Sequence, residues 1–201
     1  MEKVMKGVVA VKTGDVVLKN DIPMPVLKDY ECLVKVHTCG FCNGTDMQII
    51  HGTLTADEGM MPFPTLLGHE AVGEVIQIGN KVRHIALGDR FISPDTPKRY
   101  GKYSGTFGTM AEYAVATDRK AMIEDGIPEE QMPDEGKCER IPSDISYEDA
   151  AVMLSLLECI SAVHNFGLKK DMDVLIYGAG PMGMGVANYL QVIGAHVVLV
   201  D

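Results

Sequence analysis

Val174-Leu175-Ile176-Tyr177-Gly178-Ala179-Gly180-Pro181-Met182-Gly183, with Asp201 closing the next apolar run, is the stretch that decides the fold class. An apolar strand over 174–177, a glycine loop, a helix over 181–193 and a second apolar strand over 197–200 make a βαβ unit. Continuous apolar strands of this kind imply a parallel sheet covered on both faces. In such a unit Gly178 permits the tight turn, Gly180 lets the backbone approach a pyrophosphate, and Gly183 lets helix and strand pack closely. Pro181 suits the first helical position, where its missing N–H has no intrahelical partner to lose. Free N–H groups and the positive helix end around Pro181 and Met182 then favour phosphate. Asp201 lies 23 residues beyond Gly178, near the spacing at which an acid meets the adenosine ribose. A carboxylate there accepts from a 2′-hydroxyl and repels a 2′-phosphate, which predicts NAD over NADP. The bland alternative is a glycine turn ahead of a core helix, with Asp201 a solvated strand end.

The first 120 or so residues read as short strands cut by glycine and proline. Apolar runs at 8–11 and 16–18 flank Thr13-Gly14-Asp15, a hairpin signal. Pro23 and Pro25 impose an extended crossing. Over 32–38, Cys32, Val34, Val36 and Thr38 share one face and Glu31, Lys35 and His37 the other, the pattern of a half-buried strand. Further strands are expected over 71–78, after the turn Gly88-Asp89-Arg90, and over 110–116. The sum is an irregular β-barrel. Acidic residues, Gly126, Gly136 and three prolines make 118–142 a solvated connection. Ser146 and Asp149 resemble a capping box opening a helix that runs through Glu158 to about Phe166. The predicted class is α/β, with a barrel domain over 1–150 and a connecting helix plus the first βαβ unit of a Rossmann domain over 151–201.

The net charge of −10 argues against a nucleic-acid binder, which would carry a basic stripe. A dinucleotide is still compatible, because backbone N–H groups hold its phosphates. No apolar run reaches the roughly 18 residues of a membrane span, and the N-terminus lacks the apolar stretch of a signal peptide. Five cysteines, irregularly spaced, do not form a disulfide framework. A cytoplasmic location is expected.

Cys42, His69, Glu70 and Glu158 are the candidate metal constellation. Each is ambiguous alone. Cys39 and Cys42 could be a reduced pair or half of a structural zinc site, although no second pair exists to complete one. His69 could be a satisfied core histidine. Glu158 sits in an apolar helical run, where a buried carboxylate is costly unless paired or metal-bound.

Cys39-Gly40-Phe41-Cys42-Asn43-Gly44-Thr45-Asp46, then Leu67-Gly68-His69-Glu70-Ala71-Val72-Gly73, then Gly88-Asp89-Arg90 together resemble the medium-chain dehydrogenase/reductase superfamily. Its zinc-containing alcohol and sorbitol dehydrogenases, with a GroES-like catalytic domain, are the most similar members. The resemblance implies that Cys42 and His69 are ligands of one catalytic zinc. Glu158 falls where alcohol dehydrogenases carry a cysteine and sorbitol-type enzymes a glutamate. Asp46 matches the carboxylate that orients the histidine ligand, Thr45 the hydroxyl that relays the substrate proton, and Glu70 a glutamate beside the metal. His51 resembles a histidine near the polyol cleft and reads equally well as a surface loop residue. Two residues separate Cys42 from Thr45, where the family commonly has one. No cysteine lies between Arg90 and Met110, so no structural zinc is expected. The implied activity is hydride transfer between an alcohol or polyol and NAD, in a homo-oligomer (dimer or tetramer). About 150 further residues normally complete the cofactor domain. The alternatives are a zinc-free quinone or enone reductase of the same superfamily and a non-catalytic zinc- or nucleotide-binding domain.

Overall fold

Glycine at position 14, with φ +74°, turns the chain so that β1 (Val4–Lys12) pairs antiparallel with β2 (Asp15–Pro23), the expected hairpin. The computed structural model describes residues 3–56, 62–105, 107–133 and 138–201. Met1, Glu2 and Gly136 lie outside the described residues. The chain divides into two units, Met1–Ala151 and Val152–Asp201.

The first unit contains two five-stranded sheets and, after Gly40, the short helices α1 (Thr45–His51) and α2 (Thr53–Ala56). One sheet runs β2-β1-β4-β8-β7, where β4 is Thr65–Leu66, β7 Arg99–Tyr100 and β8 Tyr103–Ser104. The other runs β10-β6-β5-β3-β9, with β3 Glu31–Gly40, β5 Glu70–Ile78, β6 Arg90–Ile92, β9 Tyr113–Thr117 and β10 Glu139–Ile141. The bridge Gly7↔Ala111 ties β1 to the segment leading into β9, and Asp95↔Val115 ties the chain after β6 to β9. The expected strand over 110–116 is therefore two pieces: the Met110 carbonyl and the Glu112 N–H bond β1, while the Glu112 carbonyl accepts from the Val36 N–H and from Tyr113 the chain pairs with β3. Apolar side chains fill each layer: Met5, Val9, Ile22 and Leu66 around β1, and Cys32, Val34, Val75 and Phe91 around β3 and β5. Strict alternation fails on β3. Cys32, Leu33 and Val34 are all buried, because the register with β5 shifts between Leu33 and Val34 and again between Val36 and Thr38. Such irregularities bend a strand and re-aim its side chains.

The stretch 118–142, expected to be a solvated connection or surface excursion, is largely exposed in its described residues but is not without structure. It holds α3 (Arg119–Glu124), a 3-10 turn at Glu129–Gln131 and β10, which pairs with β6. Asp118 caps α3 and is buried; its Oδ1 accepts from the Ala121 N–H at 2.9 Å. Its Oδ2 accepts from the N–H groups of Arg83 and His84 at 2.7 Å each. Burial pushes this carboxyl's pKa up, but the three N–H donors together outweigh it, so the net direction is down. A folded pKa held low adds stability above the ordinary carboxylate value that is lost as pH falls through the folded one. Asp118→Ala is accordingly expected to cost about 2–3 kcal/mol in urea unfolding at neutral pH. The variant should also lose less stability than the parent chain on acidification below about pH 4.

Ser146 does cap a helix: its Oγ accepts from the Asp149 N–H at 3.0 Å. The expected long helix is divided at Val152 into α4 (Tyr147–Ala151) and α5 (Met153–Asn165). On the barrel side, the Tyr147 ring stacks on His37 at 4.1 Å and its hydroxyl donates to Glu74.

In the second unit, β11 (Asp173–Tyr177), α6 (Pro181–Val192) and β12 (His196–Val200) form the predicted βαβ, with β11 and β12 parallel. Cys159 and Val163 of α5 and Ala187 and Leu190 of α6 are buried. The sheet departs from the expected burial on both faces. Leu175, Tyr177, Val198 and Val200 lie on one face by register and are all exposed, while α6 packs against the strands. No described helix is long and apolar enough to cross a membrane.

Candidate metal centre and nucleotide loop

The β3–β5 pairing sets Gly40 opposite Glu70. That register carries the loop after β3, with Cys42, to the start of β5, with His69 and Glu70. One donor atom from each of Cys42, His69 and Glu70 lies within 4.8 Å of the others. Donors on a tetrahedral zinc, bonded at about 2.0–2.3 Å, stand about 3.3–3.8 Å apart, inside that limit. Thiolate, imidazole and carboxylate are the donor types such an ion takes. The Cys42 Sγ also accepts from the Thr45 N–H at 3.4 Å.

Asp46 ties the two loops together. It is fully buried on α1 (Thr45–His51). Its Oδ2 accepts from the Cys42 N–H and its Oδ1 from the Gly68 N–H, both at 2.9 Å. The His69 Nδ1 stands 3.9 Å from Oδ1, too far for a hydrogen bond, and is buried without a partner. A buried, unpartnered ring nitrogen costs free energy unless something else binds it, which fits a metal-binding histidine. Gly68 makes the approach possible: φ is +88°, and a Cβ there would stand 2.6 Å from the Met110 N. Its carbonyl accepts from the Thr109 N–H at 3.0 Å, and the Phe107 ring is tilted against His69 at 5.4 Å.

Cys39 is outside the cluster; its Sγ donates to the Gly40 carbonyl at 3.4 Å, and burial foremost pushes its thiol up to about 11. Glu158 belongs to the second unit and is exposed with Leu156 and Leu157, while Cys159 turns inward. The cost of burying a carboxylate therefore does not apply to it. Thr45 is half-buried at the start of α1, and His51 is exposed at its end. Sequence reasoning missed Phe107, which lies against the His69 ring, and Thr109, which bonds the carbonyl of the preceding Gly68. The signal available was Gly68, since a glycine directly before a histidine marks a close backbone approach.

In the second unit, Gly178 has φ +103°, Gly180 is the extended N-cap of α6, and Pro181 stands in its first turn. A Cβ on Gly183 would lie 1.9 Å from the Gly178 carbonyl oxygen. Helix and loop touch there, as the third glycine of such a motif requires. The Met182 carbonyl accepts from the Cys159 Sγ at 3.5 Å. Parallel pairing of Tyr177 with Val200 brings Asp201 level with the loop, where its Oδ1 accepts from the Ala179 N–H at 3.2 Å.

Residues 28–128 match the alcohol dehydrogenase GroES-like domain family. The chain is 31% identical over 199 residues to an L-threonine 3-dehydrogenase of Pseudoalteromonas atlantica strain T6c, covering 98% of this chain and 57% of that one. It is 29% identical to the sorbitol dehydrogenase of Mus musculus, covering 93% and 52%. A provisionally assigned zinc-binding dehydrogenase from Sinorhizobium meliloti 1021, solved bound to NADP, superposes with a TM-score of 0.74 at 25% identity, over 98% of this chain and 56% of that one. The chain thus spans about half the length of the curated relatives it matches. On this match, and on the glycine-loop βαβ unit that follows it, the chain belongs to the zinc-dependent medium-chain dehydrogenase/reductase superfamily, with an alcohol dehydrogenase GroES-like domain.

Proposed function

We propose that this chain carries the metal centre and the opening of the cofactor site of a zinc-dependent oxidoreductase that moves hydride between an alcohol or polyol and NAD. The observation that carries this reading is the convergence of the Cys42, His69 and Glu70 donors beside a buried, unpartnered His69 Nδ1. Cys42 and His69 hold the single zinc, Glu70 stands beside them, and Glu158 is the ligand that family resemblance adds. A zinc ion held there supplies Lewis-acid polarisation of an alcohol oxygen, and the nicotinamide supplies the hydride acceptor. Asp46 keeps the Cys42 and Gly68 loops at fixed separation, so neither donor has to be ordered during the reaction. The Thr45 hydroxyl, at the mouth of α1, takes the hydroxyl proton and passes it to solvent. The N–H groups around Gly180, Met182 and Gly183 face the pyrophosphate, with Pro181 opening the helix behind them. Asp201 accepts from the ribose 2′-hydroxyl. The matched relatives act on a β-hydroxy amino acid and a polyol by their names, and a small hydroxylated substrate of that class is proposed here. A homo-oligomer in the cytoplasm completes the proposal.

Nucleotide binding to the zinc-loaded chain tests the cofactor half. NAD is expected to bind more tightly than NADP. Asp201→Ala should weaken NAD by about tenfold, the worth of one good hydrogen bond, and narrow the preference. Equal affinities for both nucleotides before and after substitution would remove Asp201 from the ribose.

A further inference from the structure

Ser93 follows directly on β6 and is 6% exposed. Its φ is +44°, and among the described residues only one other non-glycine residue, Asp171, has a positive φ. A serine adopts the left-handed region only where its surroundings impose it. Two hydrogen bonds are the visible constraint. The Ser93 N–H donates to the Ala71 carbonyl at 2.7 Å, and its hydroxyl donates to the His69 carbonyl at 3.1 Å. These two carbonyls lie on either side of Glu70. The His69 carbonyl belongs to the peptide unit that joins the imidazole-bearing residue to the carboxylate-bearing one. Its rotation sets the angle between those two side chains. Asp46 holds the same segment from the other end, through the Gly68 N–H.

We propose that Ser93 is a positioning residue of the metal centre: by gripping the His69 and Ala71 carbonyls from a left-handed backbone, it fixes the peptide between His69 and Glu70. The imidazole is thereby pre-organised for the cation, with the Glu70 carboxylate held at a set angle beside it. Ser93 touches neither metal nor substrate in this account. The proposal rests on the zinc reading of the Cys42, His69 and Glu70 cluster. Its distinguishing feature is that strain and metal affinity should respond in opposite directions. Glycine tolerates φ +44° without cost but has no hydroxyl, whereas alanine keeps the strain and also lacks the hydroxyl.

The test is zinc affinity by competition with a chromophoric chelator, together with the melting temperature of the metal-free chain, for the parent, Ser93→Gly and Ser93→Ala. Both variants are expected to bind zinc about three- to tenfold more weakly, as loss of one neutral hydrogen bond dictates. Ser93→Gly should nevertheless keep or raise the metal-free melting temperature. Its cobalt-substituted form should show shifted ligand-field bands, because the donor angle has relaxed. Zinc affinities of both variants within about twofold of the parent would overturn the proposal. So would a Ser93→Gly chain whose metal-free melting temperature falls in step with its affinity, since that marks a general structural role. A parent chain that binds no zinc sinks the metal reading itself, and this inference with it.

Discussion

Asp46→Ala is expected to lower the zinc affinity of the chain by about 10- to 100-fold, the usual effect of losing a partner that orients metal ligands. The side chain is wholly buried and spends both carboxylate oxygens on backbone N–H groups, one at Cys42 and one at Gly68. These loops lie far apart in sequence and meet only through the β3–β5 register. Alanine leaves both N–H groups buried without an acceptor, so the loops must either open to water or accept that cost. Either response separates the Cys42 sulfur from the His69 ring. Asp46→Asn should fall between, because its carbonyl oxygen can keep one of the two bonds while its NH2 group faces the other donor. Isothermal titration with zinc at fixed pH reads the difference. An Asp46→Ala chain with parental affinity would mean that the loops hold their places without the carboxylate.

Gly183→Ala is expected to be the most damaging single methyl in the second unit. The added Cβ would stand 1.9 Å from the Gly178 carbonyl oxygen, a distance no non-bonded pair tolerates. The Gly178 oxygen is backbone, and its own N–H is bonded to the Val200 carbonyl at 2.7 Å. The clash therefore has to be relieved by moving α6 or opening the loop, at roughly 3 kcal/mol or more. The unit has few fully buried side chains with which to absorb such a shift. Hydrogen exchange should show lost protection across β11, α6 and β12, with β3 and β5 unchanged. Gly185→Ala is the control. Its Cβ would meet the Cys159 Sγ at 2.7 Å, a side-chain atom that can turn away. Equal protection in the parent and Gly183→Ala would show that helix and loop are not in close contact there.

Local chemistry made part of this fold legible. Thr13-Gly14-Asp15 announced the hairpin, and the glycine loop between two apolar runs announced the βαβ unit, because in both cases the signal and the structure lie within a few residues of each other. What escaped was either short or tertiary. α1 has 7 residues, fewer than a periodicity window needs, so no helix was expected at Thr45 and Asp46. In 118–142 the acidic residues and prolines hid α3, although Asp118 before a helical run was a readable N-cap. The apolar run around Glu158 looked like one buried helix. Within α5, Leu156, Leu157 and Glu158 are exposed and Cys159 is buried. Within the site, residue types and motif order pointed to Cys42 and His69. Their proximity depends on strand register, which no local pattern encodes, and only the family resemblance connected them. Glu70 was visible for the same reason as His69, being its neighbour, yet its place among the converging donors appeared only in three dimensions.

The central claim is that Cys42 and His69 jointly hold a zinc ion, and metal analysis of substituted chains tests it most directly. After exhaustive dialysis, the parent chain should retain roughly one zinc per molecule, and its cobalt-substituted form should show sulfur-to-metal charge-transfer absorption. Cys42→Ser and His69→Ala should each lose the bound metal, and cobalt added to Cys42→Ser should give no such absorption. A Cys42→Ser chain that keeps full zinc occupancy would contradict the account.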